Sequence, residues 1–172
     1  MTLEIAFDAD EEWDSKGGQR FNWEPLARRA ATAAIAESAF PDLAESGRTV
    51  EISITLTGDE EVRSLNAKWR GKDKPTNVLS FPMADERDLM KANVTDAELL
   101  LGDIIVARGT CEAEAAEKGV SVEDHAAHLL VHATLHLLGY DHHREDEAAE
   151  MEQREIRALE RLGIPNPYEV TA

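Results

Sequence analysis

The stretch HLLVHATLHLLGYDHH, from His128 to His143, decides the fold of this chain. Its first part is apolar on nearly every side, so we expect a helix that is buried at the centre of the molecule. Gly139 supplies the left-handed residue that commonly ends such a helix. Within the stretch, His132, His136 and His142 stand at the spacing H-x3-H-x5-H. The centre of the expected core therefore also carries side chains that bind metals.

Histidines at this spacing favour a catalytic zinc site. Two histidines four residues apart lie on one face of a helix, about 5–6 Å from each other. His142, which follows the turn, can complete a three-nitrogen site that leaves one position open for water. The set of His128, His132 and His136 would span about 12 Å along a straight helix and cannot share one ion. Any single one of these imidazoles could instead be a core side chain bonded to backbone carbonyls. Candidates for orienting the ligand imidazoles are Asp124, Asp141 and Asp146.

The general base of zinc proteases is missing from the stretch. Those enzymes read H-E-x-x-H-x-x-G-x-x-H, and the glutamate transfers the proton. Here the spacing and Gly139 match, but Ala133 stands at the glutamate position. A metalloprotease would therefore need another base. A metal can still bring its bound water to a pKa of about 7, and a phosphodiester next to a positive charge is a reasonable target.

The flanking segments predict an α+β fold, in which a small mixed β-sheet packs with helices around the histidine helix. Strands are expected at residues 3–7, 50–56, 77–81 and 99–107. Helices are expected at residues 24–38, 59–69, 110–119, 121–138 and 146–162. We expect residues 1–172 to form one metal-dependent hydrolase domain, with a polar loop or insertion at 8–20, a charged excursion at 84–98 and a tail at 163–172.

Three expectations concern single residues in these helices. Asp59 is expected to cap the helix that follows it, and Ser121 to cap the histidine helix. Trp69 stands four residues after Leu65, at a spacing that favours the inner face of its helix. A tryptophan could also stack on a nucleic-acid base, but the spacing makes Trp69 a core residue in our interpretation.

Composition excludes several classes of protein. The sole cysteine, Cys111, cannot form an internal disulfide, which favours a reducing compartment. The acidic beginning of the chain lacks the pattern of a signal peptide, and no apolar run approaches the roughly 18 residues of a membrane span. We therefore expect a cytoplasmic protein with no membrane partner.

Charge gives two opposing indications. The formal net charge of −17 argues against broad attraction to nucleic acid. Four cations nevertheless cluster between two predicted elements, and Asp73 is the only acid among them: Lys68, Arg70, Lys72 and Lys74. Such a cluster is either a solvated turn or a phosphate-binding surface.

Three blocks of sequence in matching order resemble the YbeY family of bacterial endoribonucleases, the ribosomal RNA maturation factors. They are HLLVHATLHLLGYDHH, LNAKWRGKDKPTNVLSFP from Leu65 to Pro82, and LGDII from Leu101 to Ile105. The resemblance covers roughly residues 50–145. One difference is Ala133, where the family usually has glycine after the first ligand histidine. A methyl group at that position should not remove metal binding.

The resemblance implies a function for the residues that match. His132, His136 and His142 would bind one Zn²⁺ ion, and Arg70 would be the functionally important arginine that faces the metal across a cleft. The implied activity is endonucleolytic cleavage of single-stranded RNA, in ribosomal RNA processing that includes 16S rRNA 3′ end maturation and in ribosome quality control. The implied partners are ribosomal RNA and the ribosome or its proteins, in the cytoplasm. Beside a metal, Arg70 suits phosphate oxygens.

Two questions stay open at the level of sequence. The nucleophile could be a zinc-bound hydroxide or the ribose 2′-hydroxyl, and the two routes leave different phosphate ends. The protein could also be a non-catalytic ribosome-assembly factor with a structural metal, because a net charge of −17 suits docking against basic ribosomal proteins.

Overall fold

The computed structural model of this chain describes residues 1–16, 19–40, 43, 47–90, 98–141 and 143–169. The strands in these ranges are β1 Thr2–Ala9, β2 Ser15–Lys16, β3 Gln19–Arg20, β4 Thr49–Thr57, β5 Val78–Pro82 and β6 Glu98–Ala107. The α-helices are α1 Glu24–Ala36, α2 Asp59–Arg70, α3 Glu86–Met90, α4 Arg108–Lys118, α5 Val122–Leu137 and α6 Glu145–Arg161.

The main sheet is mixed and small. Its order is β1-β4-β6-β5, with β1, β4 and β6 parallel and β5 antiparallel to β6. Burial alternates along most of strand β4: Val50, Ile52 and Ile54 are fully buried, and the residues between them are half-buried. This pattern is typical of a strand with one face in the core. The α+β fold with a small mixed sheet is thereby confirmed.

Helix α5 lies at the centre of the molecule. It packs against α1, α4, α6 and the strands β5 and β6. The helix lies close to the sheet at Gly102 in β6, whose φ is +146°. A Cβ atom there would collide with the carbonyl oxygen of Phe81 and lie 2.9 Å from Leu137 Cδ2. A glycine is needed at this point of the LGDII block because the backbone conformation and the space both exclude a side chain.

The ends of α5 confirm their predicted caps. The Ser121 hydroxyl accepts a hydrogen bond from the Asp124 amide at 3.0 Å. Gly139 follows the helix with a φ of +99°. Helix α5 is therefore the buried, histidine-bearing helix that the sequence predicts. Among the residues that the structure describes, no helix combines the length and apolar character that crossing a membrane requires.

The described residues of the expected polar loop, 8–16 and 19–20, form regular structure for most of their length. A 3₁₀ turn at Glu11–Trp13 leads into the β2–β3 ribbon. Trp13 is fully buried, and its indole nitrogen donates to the Thr57 carbonyl at 2.8 Å. Its ring meets the Trp23 ring edge-on at 5.0 Å between centroids. One apolar residue in an acidic segment therefore anchors that segment to the core.

Two expectations for α2 are wrong. The residue before the helix is Gly58, and no side chain caps it. The Asp59 carboxylate instead accepts from the Thr110 amide at 2.9 Å and so supports the start of α4, which begins at Arg108 rather than Thr110. Trp69 is 63 % exposed and does not join the core, although Val62 on the same helix is fully buried.

Candidate active site

A cleft of about 660 Å³ runs beside α5 and is lined by three of the four predicted site residues. Arg70 at the end of α2 lines it, together with His132 and His136 from α5. The third predicted ligand, His142, lies outside the described residues. Within the part of the chain that is described, no three His, Cys, Asp or Glu side chains form a group able to hold a metal.

Helix α5 carries four histidines along one side, and their burial decreases toward its end. His125 and His128 are buried, at 3 % and 7 % exposure. The His132 side chain is 30 % exposed, and His136 is half-buried. All four imidazoles line the cleft, and the last two are the more exposed.

A buried carboxylate on α6 connects two of these histidines. Glu155 is only 1 % exposed. Its Oε1 lies 2.8 Å from His128 Nε2, and its Oε2 lies 3.3 Å from His132 Nδ1. Burial raises the pKa of Glu155, but the hydrogen bonds with His128 and His132 outweigh burial and bring this pKa to about 2. The carboxylate is thus ionised at neutral pH.

The ionised carboxylate determines where the protons of these histidines are. A carboxylate can only accept hydrogen bonds, so the nitrogens that face it carry protons. Neutral His132 therefore has its proton on Nδ1 and its lone pair on Nε2. An imidazole whose Nδ1 donates to a carboxylate is the form that metal sites use, because the acceptor fixes the ring and raises its basicity.

The second predicted ligand has a similar partner on the sheet. The hydroxyl oxygen of Ser80, in β5, lies 2.5 Å from His136 Nδ1. Strand β5 thus contributes to the site through the contact of Ser80 with His136. In both His132 and His136, it is Nδ1 that an oxygen atom contacts.

Further hydrogen bonds join side chains that line the cleft. His125 Nε2 donates to Glu114 Oε1 at 2.8 Å, and the Asn77 amide donates to the same oxygen at 3.1 Å. Burial lowers the pKa of His125, whereas the hydrogen bonds from His125 and Asn77 lower the pKa of Glu114 despite the opposing effect of burial. Tyr168, from the segment after α6, donates to Glu155 at 2.9 Å.

Arg70 owes its position to the end of α2. Gly71 follows it in the left-handed conformation, with a φ of +68°, and terminates the helix. The Arg70 side chain is exposed and reaches the cleft from this terminus. Lys72 and Lys74 follow in the exposed turn but do not line the cleft.

Sequence reasoning missed Glu155. The carboxylate that meets His132 is not one of the three aspartates considered, and the Asp146 carboxylate lies 3.7 Å from Arg144 instead. A signal was available, because Glu155 stands four residues after buried Met151 and four before buried Leu159. An acid within an apolar helical stripe must have a partner in the core.

Comparisons with known proteins show which family the chain resembles over most of its length. The family described as "Endoribonuclease YbeY" matches residues 10–163. A protein of that name from Rhizorhabdus wittichii is 50% identical over 171 residues, 98% of each chain. Another, from Sphingopyxis alaskensis, is 52% identical over 149 residues, 86% of this chain and 88% of its own.

The fold has a solved counterpart as well. A Thermotoga maritima protein, determined in solution, superposes with a TM-score of 0.53 over 97% of both chains. Its sequence is 22% identical, so this likeness bears on the fold alone.

Proposed function

Because this chain belongs to the YbeY family of endoribonucleases, we propose that it is a zinc-dependent enzyme that cuts single-stranded RNA. His132, His136 and His142 are its proposed ligands for one Zn²⁺ ion, and Arg70 is its proposed catalytic residue. The proposed substrate is ribosomal RNA on or near the ribosome in the cytoplasm, including the 3′ end of 16S rRNA. Residues 1–172 form one hydrolase domain in this proposal.

The observation that carries the proposal is the cleft shared by Arg70, His132 and His136. The contacts of Glu155 with His132 and of Ser80 with His136 both occupy Nδ1. If the Ser80 hydroxyl accepts the His136 proton, both rings present the Nε2 lone pair that a zinc ligand needs. These donors fit zinc, which prefers imidazole nitrogen in catalytic sites. When bound, zinc supplies Lewis-acid chemistry and makes a nucleophile accessible at neutral pH.

Arg70 supplies the charge that a phosphodiester requires. Its guanidinium offers several donors in a plane, which matches two phosphate oxygens at once. In the cleft it would hold the scissile phosphate and stabilise the negative charge that grows in the transition state. Whether water or the ribose 2′-hydroxyl attacks determines the products, which end in a simple phosphate or a cyclic phosphate respectively.

The test measures zinc content and RNA cleavage on the same preparations of wild type, His136→Ala and Arg70→Ala. We expect His136→Ala to lose both zinc and cleavage. We expect Arg70→Ala to keep zinc but to cut at least about 100-fold more slowly, as when one transition-state donor is removed. Arg29→Ala, an exposed arginine on α1, is the matched control and should behave as wild type.

Other outcomes would support different conclusions. Equal cleavage by all variants would reveal a contaminating nuclease. Zinc without cleavage in the wild type would favour the second candidate, an assembly factor with a structural metal. The net charge of −17 is the observation that favours that candidate, because it suits basic ribosomal proteins.

A further inference from the structure

Trp69 is the exposed tryptophan of this protein. Of the three tryptophans in the chain, Trp13 and Trp23 are 0 % and 2 % exposed, whereas Trp69 is 63 % exposed. The ammonium nitrogen of Lys68 lies 5.1 Å from the centroid of the Trp69 ring. Exposing a large aromatic ring to water is unfavourable, and Trp69 gains no packing in the core that would offset this exposure.

The turn that follows Trp69 is held in one conformation. Asn66 in α2 is buried, and its side-chain amide donates to the Lys74 carbonyl at 2.9 Å. The backbone carbonyl of Asn66 accepts a hydrogen bond from the backbone amide of Lys72 at 3.2 Å. Residues 68–74, which we name the cationic turn, are therefore ordered by the helix before any ligand arrives.

The cationic turn carries four positive charges and one negative charge. Its only acid, Asp73, is engaged by Arg63, with 2.8 Å between Nε and Oδ1. Among the described residues, no ion pair joins an acid to the four cations of the turn: Lys68, Arg70, Lys72 and Lys74. Four cations therefore lie within five residues of Trp69, one of them against its ring, in a chain whose net charge is −17.

We propose that Trp69 is a stacking platform for one base of single-stranded RNA, and that the cations of the turn hold the adjoining phosphates. Aromatic rings among cations are how proteins bind single strands, because every unpaired base has a π face and every nucleotide a phosphate. Duplex bases are already stacked on each other and cannot use the ring. This proposal rests on the proposed function, since Arg70 serves both.

The position of Trp69 defines which base it receives. Consecutive residues of a helix point about 100° apart, so Trp69 is beside Arg70 and outside the cleft. The stacked base therefore belongs to a neighbour of the nucleotide whose phosphate Arg70 holds. A platform outside the cleft would select for unpaired RNA without reading its sequence.

Fluorescence tests this directly, because Trp69 is the tryptophan that solvent reaches. The metal-loaded, full-length protein is titrated with a short 2′-O-methyl RNA oligomer, which is checked on a gel for intactness afterwards. We expect saturable quenching of the exposed fraction of the emission. Trp69→Leu should weaken binding, measured by anisotropy of a labelled oligomer, roughly 5- to 150-fold, the range for loss of one stacked base. Trp69→Phe should retain most of the affinity.

Matched controls separate stacking from charge. Leu100→Ala removes an apolar side chain that is 51 % exposed and should leave the affinity unchanged. The pair Lys72→Gln and Lys74→Gln should reduce the slope of log K against log salt by about 0.7 for each phosphate that the variant no longer neutralises.

Three results would overturn the platform. They are full affinity in Trp69→Leu, saturation without quenching, or quenching by anionic phospholipid vesicles but not by RNA. Failure of the proposed function is distinguishable, because quenching by the oligomer together with no cleavage of unmodified RNA would leave the platform and remove the enzyme.

Discussion

Helix α5 lines the cleft, the cationic turn reaches it through Arg70, and the two regions are built in opposite ways. On α5, imidazoles and a carboxylate meet inside the protein, where low dielectric strengthens each contact and fixes each ring. In the cationic turn every residue is exposed, and its charges act through water. A metal requires ligands at fixed positions, whereas an RNA strand requires charge that adapts to different nucleotides. We therefore expect substitutions to act on stability and metal binding at α5, and on RNA binding at the turn.

The largest effect is expected in the core beneath the histidines. Leu135 on α5 is fully buried, and Leu135→Ala should lower the free energy of unfolding by about 2–5 kcal/mol, because it leaves a cavity. Urea denaturation measures this change. Leu100→Ala, at an exposed leucine, is the control and should change stability far less. Equal losses would contradict the central position of α5.

The next effect is on zinc affinity, which is measured independently of RNA cleavage. Glu155→Gln replaces an acceptor with an amide that cannot accept from both His128 and His132 in the same way, so one ring loses its orientation. We expect zinc affinity to fall about 10–100-fold, as when other partners of metal-bound histidines are removed. Competition with a chromogenic chelator measures it. Glu160→Gln, an exposed acid on the same helix, should bind zinc as the wild type does.

A smaller effect is expected where the cationic turn meets the core. Asn66→Ala removes the hydrogen bond to the Lys74 carbonyl and should cost about 1 kcal/mol of unfolding free energy. It should also speed hydrogen exchange at the Lys72 backbone amide. This amide donates to the Asn66 backbone carbonyl, and the turn that contains it would be less constrained without the Asn66 side chain. Ser64→Ala, at an exposed position of the same helix, is the control. Unchanged exchange would show that the turn does not depend on Asn66.

The smallest effect is a dependence of stability on pH. The pKa of His125 is lowered from its ordinary 6.5 by burial, so the folded protein resists protonation of this ring. The unfolded chain then binds the proton more readily, and stability decreases as pH falls below about 6.5. The lowered pKa of Glu114 acts in the same direction at lower pH.

His125→Gln isolates this contribution, because it keeps a donor for Glu114 but does not titrate. Unfolding free energies from about pH 7 to pH 5 should decline less steeply in this variant than in the wild type. Parallel curves would exclude His125 as the source.

Local signals in the sequence were sufficient for much of the fold. Ser121 and Gly139 mark the two ends of α5. Both ends could be predicted because a hydroxyl cap and a left-handed glycine act on backbone groups close to them in sequence. The same local rule was wrong for Asp59, whose carboxylate supports α4, far along the chain. Helical spacing alone could not show that the last residues of α2 are exposed, so it placed Trp69 wrongly in the core.

The site divides in the same way. Resemblance and spacing predict Arg70, His132 and His136 as site residues, and the three line one cleft. Glu155 depends on how α6 packs on α5, which no local pattern specifies. The geometry of His142 stays a prediction, because this residue lies outside the described part of the chain.

The order of the strands also determines when parts of the fold can form as the chain is synthesised. Strand β6 pairs with both β4 and β5, yet it is the last strand of the main sheet to be made. The sheet therefore cannot close until residue 107 has left the ribosome, and α5, which packs on β5 and β6, comes later still. The contacts that orient the histidines wait for α6 as well. The nascent chain thus acquires its cationic turn early and its proposed metal site last.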